Sequence, residues 1–169
     1  MTETDSRGAA ASRPQIAVVG PGDANEREMQ LACGVGRLLA VGGAVVVTGG
    51  LGGVMQGACE GAALAHGTSI GLLPGNDRRD ANPHVSIAVA TGLGQGRNLL
   101  VVQTADAVVA IGRSPGTLSE IALAGRLGKP VVLLASYDPD LVRGCLTAGS
   151  PKEAADLALR LIATHVASG

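Results

Sequence analysis

The sequence predicts an α/β fold in which a doubly wound parallel sheet is flanked by helices. Short apolar segments rich in Val and Ile alternate along the chain with longer Ala- and Leu-rich segments of helical character. The short segments are apolar almost throughout, which is typical of strands that are covered on both faces. Regular alternation of such strands with helices indicates a parallel sheet rather than a β-sandwich or a helical bundle.

The sheet is expected to hold six or seven strands, and six strands and five helices can be assigned along the chain. The predicted strands span residues 15–20, 44–48, 69–73, 85–90, 106–111 and 130–135. The predicted helices span residues 24–41, 53–66, 95–104, 117–127 and 151–166. Residues 1–13 are expected to form a disordered tail, and residues 14–169 are expected to form one domain.

The composition narrows the classes of function. The formal net charge is −1, and the chain has one Tyr and no Trp or Phe. Nucleic acid is therefore not an expected partner, because its binding usually needs a basic surface and, for single strands, aromatic rings on which bases stack. No apolar run reaches the roughly 18 residues of a membrane span. The N-terminus also lacks the order of a signal peptide, so a cytoplasmic protein with no membrane partner is expected.

A metal site is not expected either. The three cysteines have no CxxC or other spacing typical of metal ligands, and no paired His and carboxylate spacing stands out. Two nucleotide motifs are also excluded. The chain has no Gly-Lys-Ser/Thr of a Walker A loop, and GPGDAN does not fit the GxGxxG of a dinucleotide site.

Four glycine clusters each follow a predicted strand and precede a predicted helix. They are GPGDAN (20–25), TGGLGG (48–53), TGLGQGR (91–97) and GRSPGT (112–117). One or two such clusters would be explained by tight turns, but all four are expected to open at the same carboxyl edge of the sheet. Glycine lets backbone N–H groups approach a ligand, and helix N-termini favour an anion. The pattern predicts a crevice for a phosphorylated small molecule.

Charged side chains in these loops have two interpretations. Arg97 and Arg113 lie within glycine clusters and are predicted to face the ligand. Glu120 follows Thr117 by three residues, which fits a capping box at the start of a helix. It also stands at the predicted mouth of the crevice, where a carboxylate could act on a ligand. The two roles of Glu120 are compatible, and both remain open at this point.

Three segments resemble a known family in their order and spacing. They are TGGLGGVMQGACEGA (48–62), TGLGQGRNLLVV (91–102) and DAVVAIGRSPGTLSEIALA (106–124). Together they resemble the SLOG superfamily of Rossmann-like proteins, and the branch that looks most similar is the molybdenum-cofactor-carrier-like one. A neighbouring branch is Lonely guy (LOG), whose members are cytokinin riboside 5′-monophosphate phosphoribohydrolases that are often misnamed lysine decarboxylases. The resemblance implies a Rossmann-like domain that binds a nucleotide or another phosphorylated compound.

The LOG signatures are GGGxxGLMG and PGGxGTxxE. Matching residues of this chain are Gly49, Gly50, Gly53, Met55 and Gly57 for the first, Gly116, Thr117 and Glu120 for the second, and Arg97 for the LOG arginine. In an enzyme, the resemblance implies that Glu120 stabilises an oxocarbenium-like ribose or positions water while Arg97 holds the substrate.

The chain also departs from the LOG pattern. Gly112-Arg113-Ser114 stands where LOG enzymes have Pro-Gly-Gly, and Asn98 stands where they have lysine. Arg-Asn at 97–98 is expected in the carrier-like branch, whereas Arg113-Ser114 is unusual in both. Arg113 either adds a contact to a phosphate or fills the pocket.

The leading hypothesis is a carrier-like protein that binds a nucleotide or a molybdopterin-like cofactor and requires no cofactor of its own. The alternative is a nucleoside 5′-monophosphate phosphoribohydrolase, and single-strand DNA binding, as in DNA-processing relatives, is a third hypothesis. A homodimer or a higher homo-oligomer is expected. The predicted catalytic residues, for an enzyme only, are Glu120 and Arg97. The predicted ligand- and phosphate-binding residues are Gly20, Gly22, Gly49, Gly50, Gly53, Met55, Arg97, Asn98, Arg113, Ser114, Gly116 and Thr117.

Overall fold

A computed structural model describes residues 13–140, 142 and 144–166 of the chain. The strands are β1 (Gln15–Val19), β2 (Val45–Thr48), β3 (Ser69–Leu73), β4 (Ile87–Ala90), β5 (Ala107–Ile111), β6 (Val131–Leu134) and β7 (Cys145–Ala148). The helices are α1 (Glu26–Val41), α2 (Val54–Leu64), α3 (Arg97–Thr104), α4 (Pro115–Arg126) and α5 (Pro151–Val166). Two short 3-10 turns span Arg78–Asp80 and Gly94–Gly96.

The strands form one sheet in the order β4-β3-β2-β1-β5-β6-β7, and every neighbouring pair is parallel. The predicted doubly wound α/β class is confirmed. The chain runs outward from β1 to β4 and then crosses back, so that β1 pairs with both β2 and β5. Ala17 of β1, for example, lies between Val47 and Val108. The reversal at β1 places the topological switch point where ligands bind in such sheets.

The two faces of the sheet bury separate cores. Ile16 and Val18 of β1 belong to a cluster that is covered by α1, α2 and α5. Ala17 and Val19 point the other way, into a cluster that is covered by α3 and α4. Because successive side chains of a strand alternate between faces, a strand that is covered on both sides must be apolar at every position. This is the reason for the uninterrupted apolar runs in the sequence.

The structure differs from the predicted elements in a few places. The strand β7 is absent from the six predicted spans, because it is a short, partly exposed edge strand that pairs with β6 only. The strand predicted at 85–90 begins at Ile87, and the helix predicted at 117–127 begins at Pro115. The predicted tail lies outside the described residues except for Arg13. No helix among the described residues is long and apolar enough to cross a membrane.

Helices α1 and α2 pack through glycines that bring their backbones into contact. A Cβ atom at Gly36 would collide with the carbonyl oxygen of Ala58, and one at Gly61 would collide with that of Cys33. Such close approach leaves no room for a methyl group, so a small-to-large change forces the helices apart.

We therefore expect Gly61→Ala to lower the free energy of unfolding by about 2–3 kcal/mol, measured by chemical denaturation. Gly125→Ala is the matched control, because Gly125 is an exposed residue of α4 with open space where a side chain would stand. That change should raise stability by up to about 1 kcal/mol through helix propensity. A Gly61→Ala protein as stable as the wild type would contradict the close helix packing.

Candidate functional site

The loops at the carboxyl edge enclose a cavity of about 550 Å³. The loops after β1, β2 and β5 contribute to its wall, together with the turn before α3 and the first turns of α4. The predicted residues that line it are Gly20, Gly22, Gly49, Met55, Arg97, Asn98, Ser114, Gly116, Thr117 and Glu120. The cavity is also lined by residues that were not predicted from the sequence, namely Val18, Val19, Leu51, Gln95, Pro115 and Ser119.

Two predicted glycines shape the loop without lining the cavity. Gly50 has a φ of +75° and Gly53 a φ of +62°, a backbone region that disfavours side chains. A Cβ at Gly53 would also collide with the carbonyl oxygen of Pro21. These glycines therefore allow the loop after β2 to turn and to pack against the loop after β1.

Arg113 lies away from the cavity lining. Its side chain is exposed, and its Nε donates a hydrogen bond of 2.9 Å to the carbonyl oxygen of Ser136. The guanidinium lies over the ring of Tyr137, 5.8 Å from the ring centroid, in a cation–π contact. In this arrangement Arg113 neither contributes to the wall of the cavity nor fills it.

The segment after β6 holds the turn that leads into α4. The Ser136 hydroxyl donates a 2.7 Å hydrogen bond to the carbonyl oxygen of Gly112. The Tyr137 hydroxyl donates a 3.0 Å hydrogen bond to the carbonyl oxygen of Ser114. Both side chains lie more than twenty residues downstream of the turn, and no local pattern in the sequence connects them to it.

Helix α4 begins at Pro115, and Ser114 is its N-cap. The Ser114 Oγ accepts a 3.1 Å hydrogen bond from the backbone N–H of Thr117, while Pro115, at the first helical position, has no N–H to satisfy. The predicted capping box of Thr117 and Glu120 is therefore wrong. Among the described residues, no protein acceptor takes the N–H of Gly116. Gly116 lines the cavity, and its N–H lies at the positive end of the helix dipole.

Glu120 points into the cavity and lies opposite Arg97 of α3. Both residues are buried, at 5% and 7% exposure, and the Arg97 Nη1 lies 3.6 Å from the Glu120 Oε1. Burial raises the pKa of Glu120 to about 7, and this value already includes the opposing effect of the positive charge of Arg97, which lowers the pKa. Burial likewise lowers the pKa of Arg97, and the charge of Glu120 opposes that change.

The guanidinium of Arg97 is only partly satisfied. Its Nη1 donates to the Oδ1 of Asn98 at 2.5 Å, and its Nη2 lies 3.9 Å from the Sδ of Met55. Its Nε is buried and has no hydrogen-bond partner. A buried polar group without a partner is uncommon in proteins, and here it leaves the buried charge of Arg97 incompletely compensated.

Gly49 provides the space in which the Arg97 guanidinium lies. A Cβ at Gly49 would be 2.5 Å from both the Cζ and the Nη2 of Arg97. The φ of Gly49 lies outside the positive range, so the arginine rather than the turn requires glycine here.

Asn82, which no motif in the sequence marks as a functional residue, fixes the loop that carries Gly49. Its Nδ2 donates to the carbonyl oxygens of Gly50 at 3.2 Å and of Leu51 at 2.9 Å. Asn82 is buried, and its own Oδ1 accepts from the backbone N–H of His84. In the sequence, Asn82-Pro83 is typical of an ordinary turn, so the only signal was a polar residue whose burial cannot be read from the sequence.

These features define a Rossmann-like α/β protein whose carboxyl edge encloses a cavity around one buried arginine and one buried glutamate. The chain belongs to the SLOG cluster4 family, whose model matches residues 13–157. The predicted membership of the SLOG superfamily is confirmed.

Similar proteins cover almost the whole domain. An uncharacterised protein from Archaeoglobus fulgidus is 38% identical over 141 residues, which are 83% of this chain and 91% of that protein. The molybdenum cofactor binding protein from the phototrophic bacterium Rippkaea orientalis is 38% identical, with a TM-score of 0.85 over 90% of this chain and 99% of that one. The Moco carrier protein from Chlamydomonas reinhardtii is 36% identical, with a TM-score of 0.82 over the same shares.

Proposed function

We propose that this protein binds a molybdopterin-like cofactor in the cavity and acts as its carrier, with the phosphate of the cofactor at the N-terminus of α4. The observation that carries the proposal is the buried, incompletely hydrogen-bonded guanidinium of Arg97, which lines the same cavity as Gly116 with its free N–H. The similarity to molybdenum cofactor binding and carrier proteins over 90% of the chain supports this ligand class.

The cavity fits such a compound in size and chemistry. Its volume lies within the range of typical small-molecule sites, roughly 300–1,000 Å³. The helix N-terminus and Arg97 provide donors and positive charge for a phosphate. Leu51, which is half-buried, offers an aliphatic surface for a ring system, and Gln95 adds a polar group to the wall. No group of three or more His, Cys, Asp or Glu side chains among the described residues could hold a metal ion by itself.

We expect Arg97→Met to weaken cofactor binding by about 10- to 100-fold, because a hydrogen bond to a charged group contributes roughly 1.5–3 kcal/mol. The measurement is retention of molybdenum cofactor during gel filtration, quantified by the fluorescence of its oxidised pterin. Arg126→Met is the matched control, since Arg126 is exposed at the opposite end of α4. Equal retention by the Arg97→Met and wild-type proteins would contradict the proposed site.

A second function is favoured by one observation, namely that Glu120 caps no helix and lies in the cavity beside Arg97. As in LOG enzymes, the carboxylate would stabilise positive charge on a ribose as its N-glycosidic bond breaks. Incubation with AMP should then release adenine and ribose 5-phosphate, and Glu120→Gln should abolish that turnover. Binding of AMP without turnover would reject the hydrolase and leave the carrier.

We further infer that the protein is a cytoplasmic homodimer or higher homo-oligomer that associates through the outer face of α3 and α4. From Val85 to Ala105, the chain has one ionisable residue, the buried Arg97. Leu99 of α3 and Leu118 of α4 are 41% and 43% exposed, which suits an interface better than a solvated surface. Sedimentation equilibrium should show an oligomer for the wild type and a shift toward monomer for Leu118→Glu.

A further inference from the structure

The ionisable side chains of the described cavity wall are one cation and one anion. Arg97 and Glu120 face each other there, and the other lining residues are glycines, aliphatic residues and neutral polar residues. While Glu120 is ionised, the wall has no net charge. An entering anion then meets a neutral cavity, although the helix dipole and the N–H of Gly116 still favour it.

The contact between the two charges is incomplete. The 3.6 Å between the Arg97 Nη1 and the Glu120 Oε1 is too long for a charge-assisted hydrogen bond, and that Nη1 donates to Asn98 instead. The side chains are only 8% and 7% exposed, so water cannot compensate fully for the missing bond. A buried ion pair of this kind recovers only part of its desolvation cost.

A ligand at the start of α4 would lie close to Glu120. Gly116 and Glu120 are four residues apart on one helix, so they share a face with roughly 5–6 Å between neighbouring positions. An anion that accepts from the Gly116 N–H therefore adds a second negative charge beside a buried carboxylate. Two such charges next to one cation strongly favour protonation of the weaker acid.

We propose that the site binds its anionic ligand together with one proton, which the Glu120 carboxylate accepts from solvent. The inference rests on the proposed function in requiring an anionic ligand at the N-terminus of α4. The protonated carboxyl no longer competes for Arg97, so the whole positive charge of the guanidinium faces the ligand. Its O–H also becomes a hydrogen-bond donor. Release of the ligand returns the proton to solvent, so ligand affinity falls as the pH rises.

The surroundings of Glu120 suit this exchange near neutral pH. Burial has already raised the pKa of this carboxyl to about 7, so protonation requires little free energy in the cell. The strands β5 and β6, which pack against α4, have only Ala, Val, Ile and Leu, and α3 contributes Arg97 alone among ionisable residues. Glu28, in the neighbouring α1, forms a capping box with Asn25 and does not line the cavity.

Calorimetric titration with sodium sulfate tests the coupling, because sulfate keeps the same charge between about pH 6 and about pH 9. Wild-type affinity should be about tenfold weaker at the higher pH, a coupling within the usual range. Repeating the titration near pH 7.5 in buffers of different ionisation enthalpy should show an uptake of about half a proton per sulfate. By reciprocity, saturating sulfate should move the Glu120 midpoint in a carboxyl NMR titration upward by about one pH unit.

The Glu120→Gln protein should bind sulfate with an affinity that does not change over this range and without proton uptake. The coupling is overturned if wild-type affinity is the same at both pH values with no proton uptake, or if the Gln variant keeps the wild-type pH dependence. The wild-type measurements decide the matter even if the variant fails to fold. If wild-type protein binds no sulfate at any pH, the anion site itself is overturned. If wild-type protein binds sulfate but does not retain molybdenum cofactor, only the assigned ligand is overturned.

Discussion

Glu120→Gln is expected to stabilise the protein by about 3 kcal/mol at about pH 8, although it removes the charge that faces Arg97. The folded protein raises the pKa of this carboxyl from its ordinary value of 4.5 to about 7. The difference corresponds to about 3 kcal/mol by which folding disfavours the ionised form, even with Arg97 nearby. Glutamine has nearly the shape of the protonated acid and carries no charge, so it avoids the free-energy cost of burying an ionised carboxylate.

The effect depends on pH in a defined direction. Between pH 4.5 and about 7, the folded chain holds a proton on Glu120 that the unfolded chain has released, so wild-type stability falls as the pH rises. The contribution of Glu120 is fully present below pH 4.5 and is lost above about pH 7. The variant and the wild type should therefore be equally stable near pH 4.5 and should diverge as the pH approaches 8.

Urea denaturation of both proteins across this pH range measures the difference. Glu60→Gln is the matched control, because it makes the same chemical change at a half-buried glutamate of α2 outside the cavity. A gain that grows with pH in Glu120→Gln and exceeds that of the control is then due to the cavity position of Glu120. If Glu120→Gln is less stable than the wild type at about pH 8, the attraction to Arg97 outweighs the burial of the carboxylate.

Gly49→Ala is expected to weaken anion binding by about 10- to 100-fold while the fold remains intact. The new methyl group would lie 2.5 Å from the guanidinium of Arg97 and would displace it from its place against the loop. Because the clash involves the end of a flexible side chain rather than backbone, the arginine can move without unfolding the domain. The lost interactions are hydrogen bonds to a charged group, which contribute roughly 1.5–3 kcal/mol.

Gly52→Ala provides the control within the same loop. A Cβ at Gly52 would meet the nearest atom, the carbonyl oxygen of Gly22, at 3.4 Å, and Gly52 is outside the cavity wall. Sulfate titration at about pH 6 and circular dichroism should give wild-type results for Gly52→Ala. A Gly49→Ala protein with wild-type sulfate affinity would show that the position of the guanidinium does not determine binding.

The parallel sheet and its glycine-rich loops could be predicted from the sequence because the patterns that mark them are local and repeated along the chain. Strands buried on both faces must be apolar throughout, and loops at one edge of a parallel sheet need glycine, so both patterns are visible without coordinates. The arrangement of Arg97, Gly49 and Glu120 around one cavity follows from that sheet and those loops. The strand β7 was not predicted, because it has only four partly exposed residues and one partner strand, and such a short segment shows little periodicity in hydrophobicity.

The remaining errors concern contacts between distant segments or choices between adjacent residues. Ser114 and Thr117 are both suitable N-caps, and the proline between them decides in favour of Ser114 by occupying the first helical position. That shift of three residues turns Glu120 from a capping residue into a cavity residue. The support that Asn82 gives to Gly50 spans 32 residues, and no pattern in the chain marks it.

Tyr137 is the single Tyr of a chain without Trp or Phe, and its hydroxyl donates to the carbonyl oxygen of Ser114, the residue that caps α4. All ultraviolet fluorescence from the aromatic side chains therefore originates at one point beside the cavity wall. A ligand that shifts Ser114 alters the hydrogen bond of that phenol, and with it the emission intensity. Tyrosine emission of the native protein should therefore report ligand binding at the proposed site without labelling or substitution.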